Sequence, residues 1–167
     1  RYSVRAYDGR SVSSDIRCEI GQLLDGFSPM CKGARAVLLE EGSSEILSGF
    51  MGIVGRIRGA DLVLVLIGDA SYPDHEVAVG FLGEGIILHA TSLHLGTCWV
   101  SGTYSRKAVE ARIKLRDSEK VMAVSPIGFA KRSGQRVGER AMEAPRVLHK
   151  RKPLESLVRG LPMEDWP

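Results

Sequence analysis

The sequence has no asparagine, only three cysteines, and aromatics at just 6% of its 167 residues. Cys18, Cys31 and Cys98 are odd in number and widely spaced. They make neither a disulfide framework nor a metal-ligand pair, and they point to the reducing cytoplasm. Charge of one sign is also scarce. Lys plus Arg is 23 and Asp plus Glu is 20, a net charge of +3. Such an excess suits an anionic ligand but is not the footprint of a dedicated nucleic-acid binder. Long apolar runs are missing too. Residues 62–67 are too short to span a bilayer, and residues 77–95 are interrupted by Glu84, His89 and His94. No membrane span is expected. No secretory leader pattern and no internal repeat stand out.

The familiar catalytic signatures are absent as well. There is no phosphate loop, no dinucleotide fingerprint after a strand, no nucleophile elbow and no metalloprotease helix. His89 and His94 are five apart, the wrong spacing for one helix face, so they read as packing histidines and not as metal ligands.

What remains is an ordinary globular composition, with 44% hydrophobic and 26% charged residues. This suits one domain covering residues 1–167. The chain opens on Arg1 without a methionine, which suggests that an upstream piece belongs to the natural product. Ser13, Ser14 and Asp15 offer helix caps before Ile16, Ile20 and Leu23. Residues 36–39 read as a strand, and 42–59 as a glycine-rich loop with a little helix. Residues 62–67 are aliphatic without alternation, as in a strand buried on both faces. Asp74 can cap a long helix carrying Val79, Leu82, Ile86, Ala90 and Leu93, with Gly96 as its left-handed stop. Gly80, Gly83 and Gly85 inside it suggest close approach by another backbone, a subunit or a flat ligand. Residues 98–100 read as a short extended piece. Ser105 can cap a helix over 106–115. Residues 121–124 read as a second buried strand, ended by Ser125 and Pro126. The mixed order means an α+β or α/β fold.

Three places could carry chemistry, each with a plainer reading beside it. In Arg1-Tyr-Ser-Val-Arg5, an extended chain points Arg1, Ser3 and Arg5 to one side. That is a phosphate cradle or a solvated basic strand. The run Lys150-Arg151-Lys152 is an anion site, a nucleic-acid contact without aromatic support, or a solvated face. In Leu95-Gly-Thr-Cys-Trp-Val-Ser-Gly-Thr103, small residues let a ring lie on backbone amides, or merely connect helix to strand.

Taken together, these segments resemble the FMN-dependent nitroreductase superfamily, in the branch with a G-L-G-T-C-W segment. Residues 1–7, 80–103, Val124-Ser-Pro-Ile-Gly128-Phe and Arg151-Lys-Pro-Leu-Glu155 carry the likeness. It implies an α+β fold with a central, mostly antiparallel sheet flanked by helices. It implies FMN at the interface of a homodimer or at a dimer-like internal interface. By position, Arg1, Ser3, Arg5, Lys150, Arg151 and Lys152 would hold the cofactor phosphate and edge. Ser101 and Gly102 would lie against its ring, and Trp99 joins the cofactor-binding residues. NAD(P)H would be the electron donor, and a nitroaromatic, quinone or similar small molecule the acceptor. No catalytic side chain is assigned. His75, Tyr72 and Tyr104 are candidate proton donors, each with a structural reading. The alternative is a flavin binder or sensor without turnover. The sequence departs from the family pattern where an asparagine usually meets the flavin, and His94 stands where the G-L-G-T-C-W segment begins with glycine.

Overall fold

The computed structural model describes residues 2–27, 30–48 and 57–131. They contain helix α1 (Ser14–Phe27), strand β1 (Ala34–Leu39), helix α2 (Ser43–Ile46) and strand β2 (Leu62–Asp69). Helix α3 (His75–Ser92), strand β3 (Gly96–Thr97), helix α4 (Arg106–Glu110) and strand β4 (Glu119–Gly128) follow. The sheet order is β1-β2-β4-β3, and every pair is antiparallel.

β2 is the centre of the structure. Leu62 to Leu66 have no exposed surface at all. Successive strand side chains point to opposite faces. Leu62, Leu64 and Leu66 therefore join Ile20 of α1 and Leu82, Ile86 and Ala90 of α3 in one cluster. Val63, Val65 and Ile67 join Ile46 of α2, Val109 of α4 and Tyr7 on the other face. The unbroken aliphatic run predicts this burial on two faces, and the structure shows it.

The helix ends follow local chemistry. Ser13 Oγ accepts the Ile16 N–H at 3.4 Å at the start of α1. Ser105 caps α4 in the same way, accepting from Ala108 N–H at 3.3 Å. Asp74 stands at the start of α3 without a capping bond from its side chain. The stop of α3 corrects the expectation for Gly96. Leu95 N–H donates to Ala90 O at 2.9 Å and His94 N–H to Thr91 O at 3.0 Å. This is a Schellman cap with His94 in the left-handed position, at φ 61°. Gly96 lies beyond it in β3.

Two further boundaries differ from the sequence reading. α4 ends at Glu110, short of residue 115. β4 continues through Ser125 and Pro126 to Gly128 and does not stop before them. Opposite Leu66 and Ile67 its register shifts, because Ala123 and Val121 are their partners and Met122 is left between.

At the far end of the sheet, Glu119 has its side chain only 1% exposed. Arg35 binds both of its carboxylate oxygens at 2.8 Å, and Arg116 adds bonds from its backbone N–H and its Nε at 2.9 Å. Arg35, above all, holds the Glu119 carboxyl at about 2, against its ordinary 4.5.

Two measurements test these features. His94→Gly removes the left-handed penalty and should raise stability by about 1 kcal/mol in chemical denaturation. No gain would show that the cap bears no strain. Because the Glu119 value is depressed on folding, its contribution is complete above pH 4.5 and is lost as pH falls towards 2. Glu119→Gln should lower stability at neutral pH and flatten its decline across that interval.

Candidate functional site

The N-terminal segment reaches the edge of the sheet beside β3. Ser3 forms a parallel bridge with Thr97, and Val4 N–H donates to Thr97 O at 2.8 Å. Val4 is buried, with its side chain over Gly96. A Cβ on Gly96 would come within 2.8 Å of Val4 Cγ2, so glycine is required there. Alternation turns Ser3 and Arg5 to the opposite side. Ser3 is exposed and Arg5 half-buried. The backbone past them is fastened on both sides. Arg58 N–H donates to Arg5 O at 3.1 Å, and Lys131 N–H donates to Ala6 O at 3.0 Å. Among the described residues the Arg5 guanidinium has no hydrogen bond or ion pair.

The chain leaving β3 keeps a single register against β4. Gly96 faces Gly128, Thr97 faces Ile127 and Val100 faces Val124. Val100 and Val124 exchange both backbone bonds, at 2.9 and 2.8 Å. The next such pair along an antiparallel ladder lies two residues on, at Cys98 and Pro126. Pro126 has no N–H to give. Its absence leaves the Cys98 carbonyl without that ladder bond, while the Cys98 N–H donates to Ser125 Oγ at 3.2 Å. Ser125 and Pro126 thus open a gap in the ladder immediately before the candidate ring-binding residues.

Ser101, Gly102 and Thr103 are exposed, between buried Val100 and buried Tyr104. A Cβ built on Gly102 would meet nothing within 4 Å. The segment therefore offers backbone groups to open space. Trp99 is half-buried and faces α3. Its ring fills the notch at Gly83, where a Cβ would lie 2.3 Å from the ring, and its Nε1–H donates to Glu84 Oε2 at 2.9 Å. Gly85 receives the Phe27 ring in a similar manner, at 2.7 Å from a Cβ position. The close approach expected at these two glycines comes from the chain's own aromatic rings. Gly80 has nothing within 4 Å of a Cβ.

The candidate proton donors are committed elsewhere in part. Tyr104 donates to Val121 O at 3.3 Å, and burial raises its pKa. Tyr7, buried beneath the site, donates to Val4 O at 2.9 Å. Burial raises its pKa most, with Cys98 adding and Arg5 opposing. His75 Nδ1 lies 2.7 Å from Tyr72 O at the start of α3. His94 is exposed, and His89 lies 2.8 Å from Glu19 of α1. No group of three or more His, Cys, Asp or Glu among the described residues could hold a metal.

The structure brings Ser3 and Arg5 to the edge occupied by Gly96 and Thr97, in the same chain segment that continues to Trp99, Ser101 and Gly102. Arg1, Lys150, Arg151 and Lys152 lie outside the described residues. Glu84 escaped sequence reading as a site residue. Its signal was present, an acid in the apolar middle of α3, but its partner lies fifteen residues away.

The family model described as "Putative TM nitroreductase" matches residues 1–166. The chain belongs to this nitroreductase family. Among solved structures it is similar to a nitroreductase family protein from Clostridium difficile 630, at 19% identity and TM-score 0.65, covering 95% of this chain and 92% of that one. A nitroreductase family protein from Streptococcus pneumoniae is 10% identical with TM-score 0.67, covering 96% of each chain. An FMN-dependent nitroreductase from Clostridium difficile is 17% identical with TM-score 0.63, covering 91% of this chain and 95% of that one. No curated protein matches the chain significantly in sequence. The nitroreductase fold expected from the sequence is present, with its antiparallel sheet flanked by helices. No helix among the described residues is long and apolar enough to cross a membrane.

Proposed function

We propose that this nitroreductase-family protein is an FMN-dependent oxidoreductase. In this reading it takes electrons from NAD(P)H and delivers them to a nitroaromatic, quinone or similar acceptor. The observation that carries the reading is Arg5, a half-buried cation without an ion-pair partner among the described residues, on the edge segment beside β3. A guanidinium fork with a neighbouring hydroxyl suits a phosphate dianion. Ser3 supplies that hydroxyl. The open space beside Gly102 leaves room for a flat ring against the backbone of 101 and 102. FMN, when bound, supplies the hydride chemistry, while the protein supplies binding, orientation and electrostatics. Backbone N–H groups at 101 and 102 would favour negative charge on the ring facing them. Arg1, Lys150, Arg151 and Lys152 are phosphate candidates on the sequence resemblance.

The same reading includes a homodimer. Val77, Phe81 and Leu88 lie along one side of α3 at 72%, 57% and 53% exposure. Their spacing of four and seven gives one apolar stripe, the surface a second copy would cover. A cytoplasmic location suits the three free cysteines.

The flavin spectrum of the purified protein tests the reading. It should be yellow, or become so with added FMN, and its visible band should bleach with NADH or NADPH. Yellow colour without bleaching would favour the binder or sensor, for which the missing asparagine speaks. A colourless protein that takes up no FMN would exclude both. Arg5→Ala should weaken FMN affinity roughly tenfold or more, the scale of a lost charge-assisted hydrogen bond. Unchanged affinity would remove Arg5 from the phosphate site.

A further inference from the structure

We propose that Glu84 is a positioning residue that fixes the segment 100–103 by holding the indole N–H of Trp99. This rests on the flavin reading above, because it gives that segment a ligand to meet.

One backbone bond is missing between β4 and the chain leaving β3. Pro126 cannot donate to Cys98, so the ladder that supports the chain up to Thr97 lapses before resuming at Val100. Two side chains hold the chain across this gap, both on the sheet face covered by α3. Ser125 Oγ accepts the Cys98 N–H at 3.2 Å. Trp99 anchors the chain to α3, with its ring in the Gly83 notch and its N–H on Glu84 at 2.9 Å.

Packing and hydrogen bond do different work. A ring over a glycine can slide along the helix surface, whereas one directed N–H···O bond fixes where along α3 it rests. That setting passes to the next residues, because Ser101 to Thr103 are exposed and belong to no strand. This bond gives the acid in the apolar middle of α3 a described partner. Glutamate lowers the hydrophobicity of a face that carries Phe81 and Leu88, and it accepts a half-buried indole N–H in return.

FMN titration followed by flavin fluorescence tests the proposal, with Glu84→Gln, Glu84→Ala and Trp99→Phe beside the wild type. Glu84→Gln keeps an acceptor oxygen and should bind FMN within about twofold of the wild type. Glu84→Ala breaks the bond, and Trp99→Phe keeps a ring over Gly83 without the N–H. Both should bind FMN roughly three- to tenfold more weakly, as expected for one hydrogen bond to a charged group acting at a distance. The double variant should be no worse than either single one. Trp99 emission should shift to the red in Glu84→Ala and stay in place in Glu84→Gln.

If the wild type binds FMN and Trp99→Phe binds it equally well, the positioning role is wrong while the flavin reading stands. Equal losses in Glu84→Gln and Glu84→Ala would also overturn it, because charge and not the bond would then matter. A wild type that binds no FMN would remove both readings together. Should Glu84→Ala fail to fold, as judged by circular dichroism, Glu84→Gln and Trp99→Phe decide the matter alone.

Discussion

A strand with no exposed side cannot exist without two layers to cover it. β2 has that property from Leu62 to Leu66, and the rest of the described structure answers it. α1 and α3 cover the leucine face, while α2, α4 and the N-terminal segment cover the valine face. Central placement follows, with β1 on one side and β4 on the other. β3 is then left beyond β4, and the segment around Ser3 and Val4 pairs with it. The candidate site therefore forms at an edge, where exposed backbone can coexist with a cation that has no ion-pair partner among the described residues. In the middle of the sheet neither could be satisfied.

The ladder along that edge is interrupted at Pro126, just before the candidate site. Proline inside a sheet normally removes a ladder bond and is confined to places that tolerate the loss. Here the loss falls on the Cys98 carbonyl, and the Cys98 N–H beside it would cost about 1–3 kcal/mol if it too were left without a partner. Ser125, fully buried, provides the replacement acceptor. Pro126 thus removes one ladder bond to Cys98, and Ser125 holds the Cys98 N–H. Beyond the gap the chain makes one complete exchange at Val100 and then bends outward.

Local patterns made much of this legible. The aliphatic run of β2 showed double-faced burial because no polar residue interrupts it. The period of two in residues 3–5 foretold that Val4 would part from Ser3 and Arg5. The spacing along α3 foretold a long helix, but not where it stops. Gly96 looked like the left-handed residue because glycine bears that conformation most easily. The Schellman bonds instead place His94 there, two residues earlier, at a cost that packing of Leu95 against the core offsets. Gly96 is reserved for a contact with Val4, ninety-two residues away in sequence, which no local pattern can reveal. Ser125-Pro126 misled for a related reason. Proline reads as a terminator until the neighbouring strand is known, and only the register shows that its missing N–H falls at a gap. Trp99 was visible as part of a motif, but its bond to Glu84 crosses from one element to another.

Charge follows the same lesson of place over total. A net charge of +3 says little, because most arginines with a described partner are matched to acids. Arg35 and Arg116 share Glu119, Arg17 binds Asp61 and Glu40, Arg10 binds Asp8 and Arg112 binds Glu45. Arg35 and Arg17 in this way tie strand β1 and helix α1 to acids distant in sequence. Arg5 differs in two respects. It is half-buried, so water screens it less than a surface cation, and no described acid offsets it. A cation in that condition is held at a cost unless an anion completes it. The backbone around it is fixed by Thr97, Arg58 and Lys131, so the guanidinium cannot escape the cost by moving its anchor. An anionic ligand at this edge would relieve it, and the adjoining open segment at 101–103 determines what else that ligand can be.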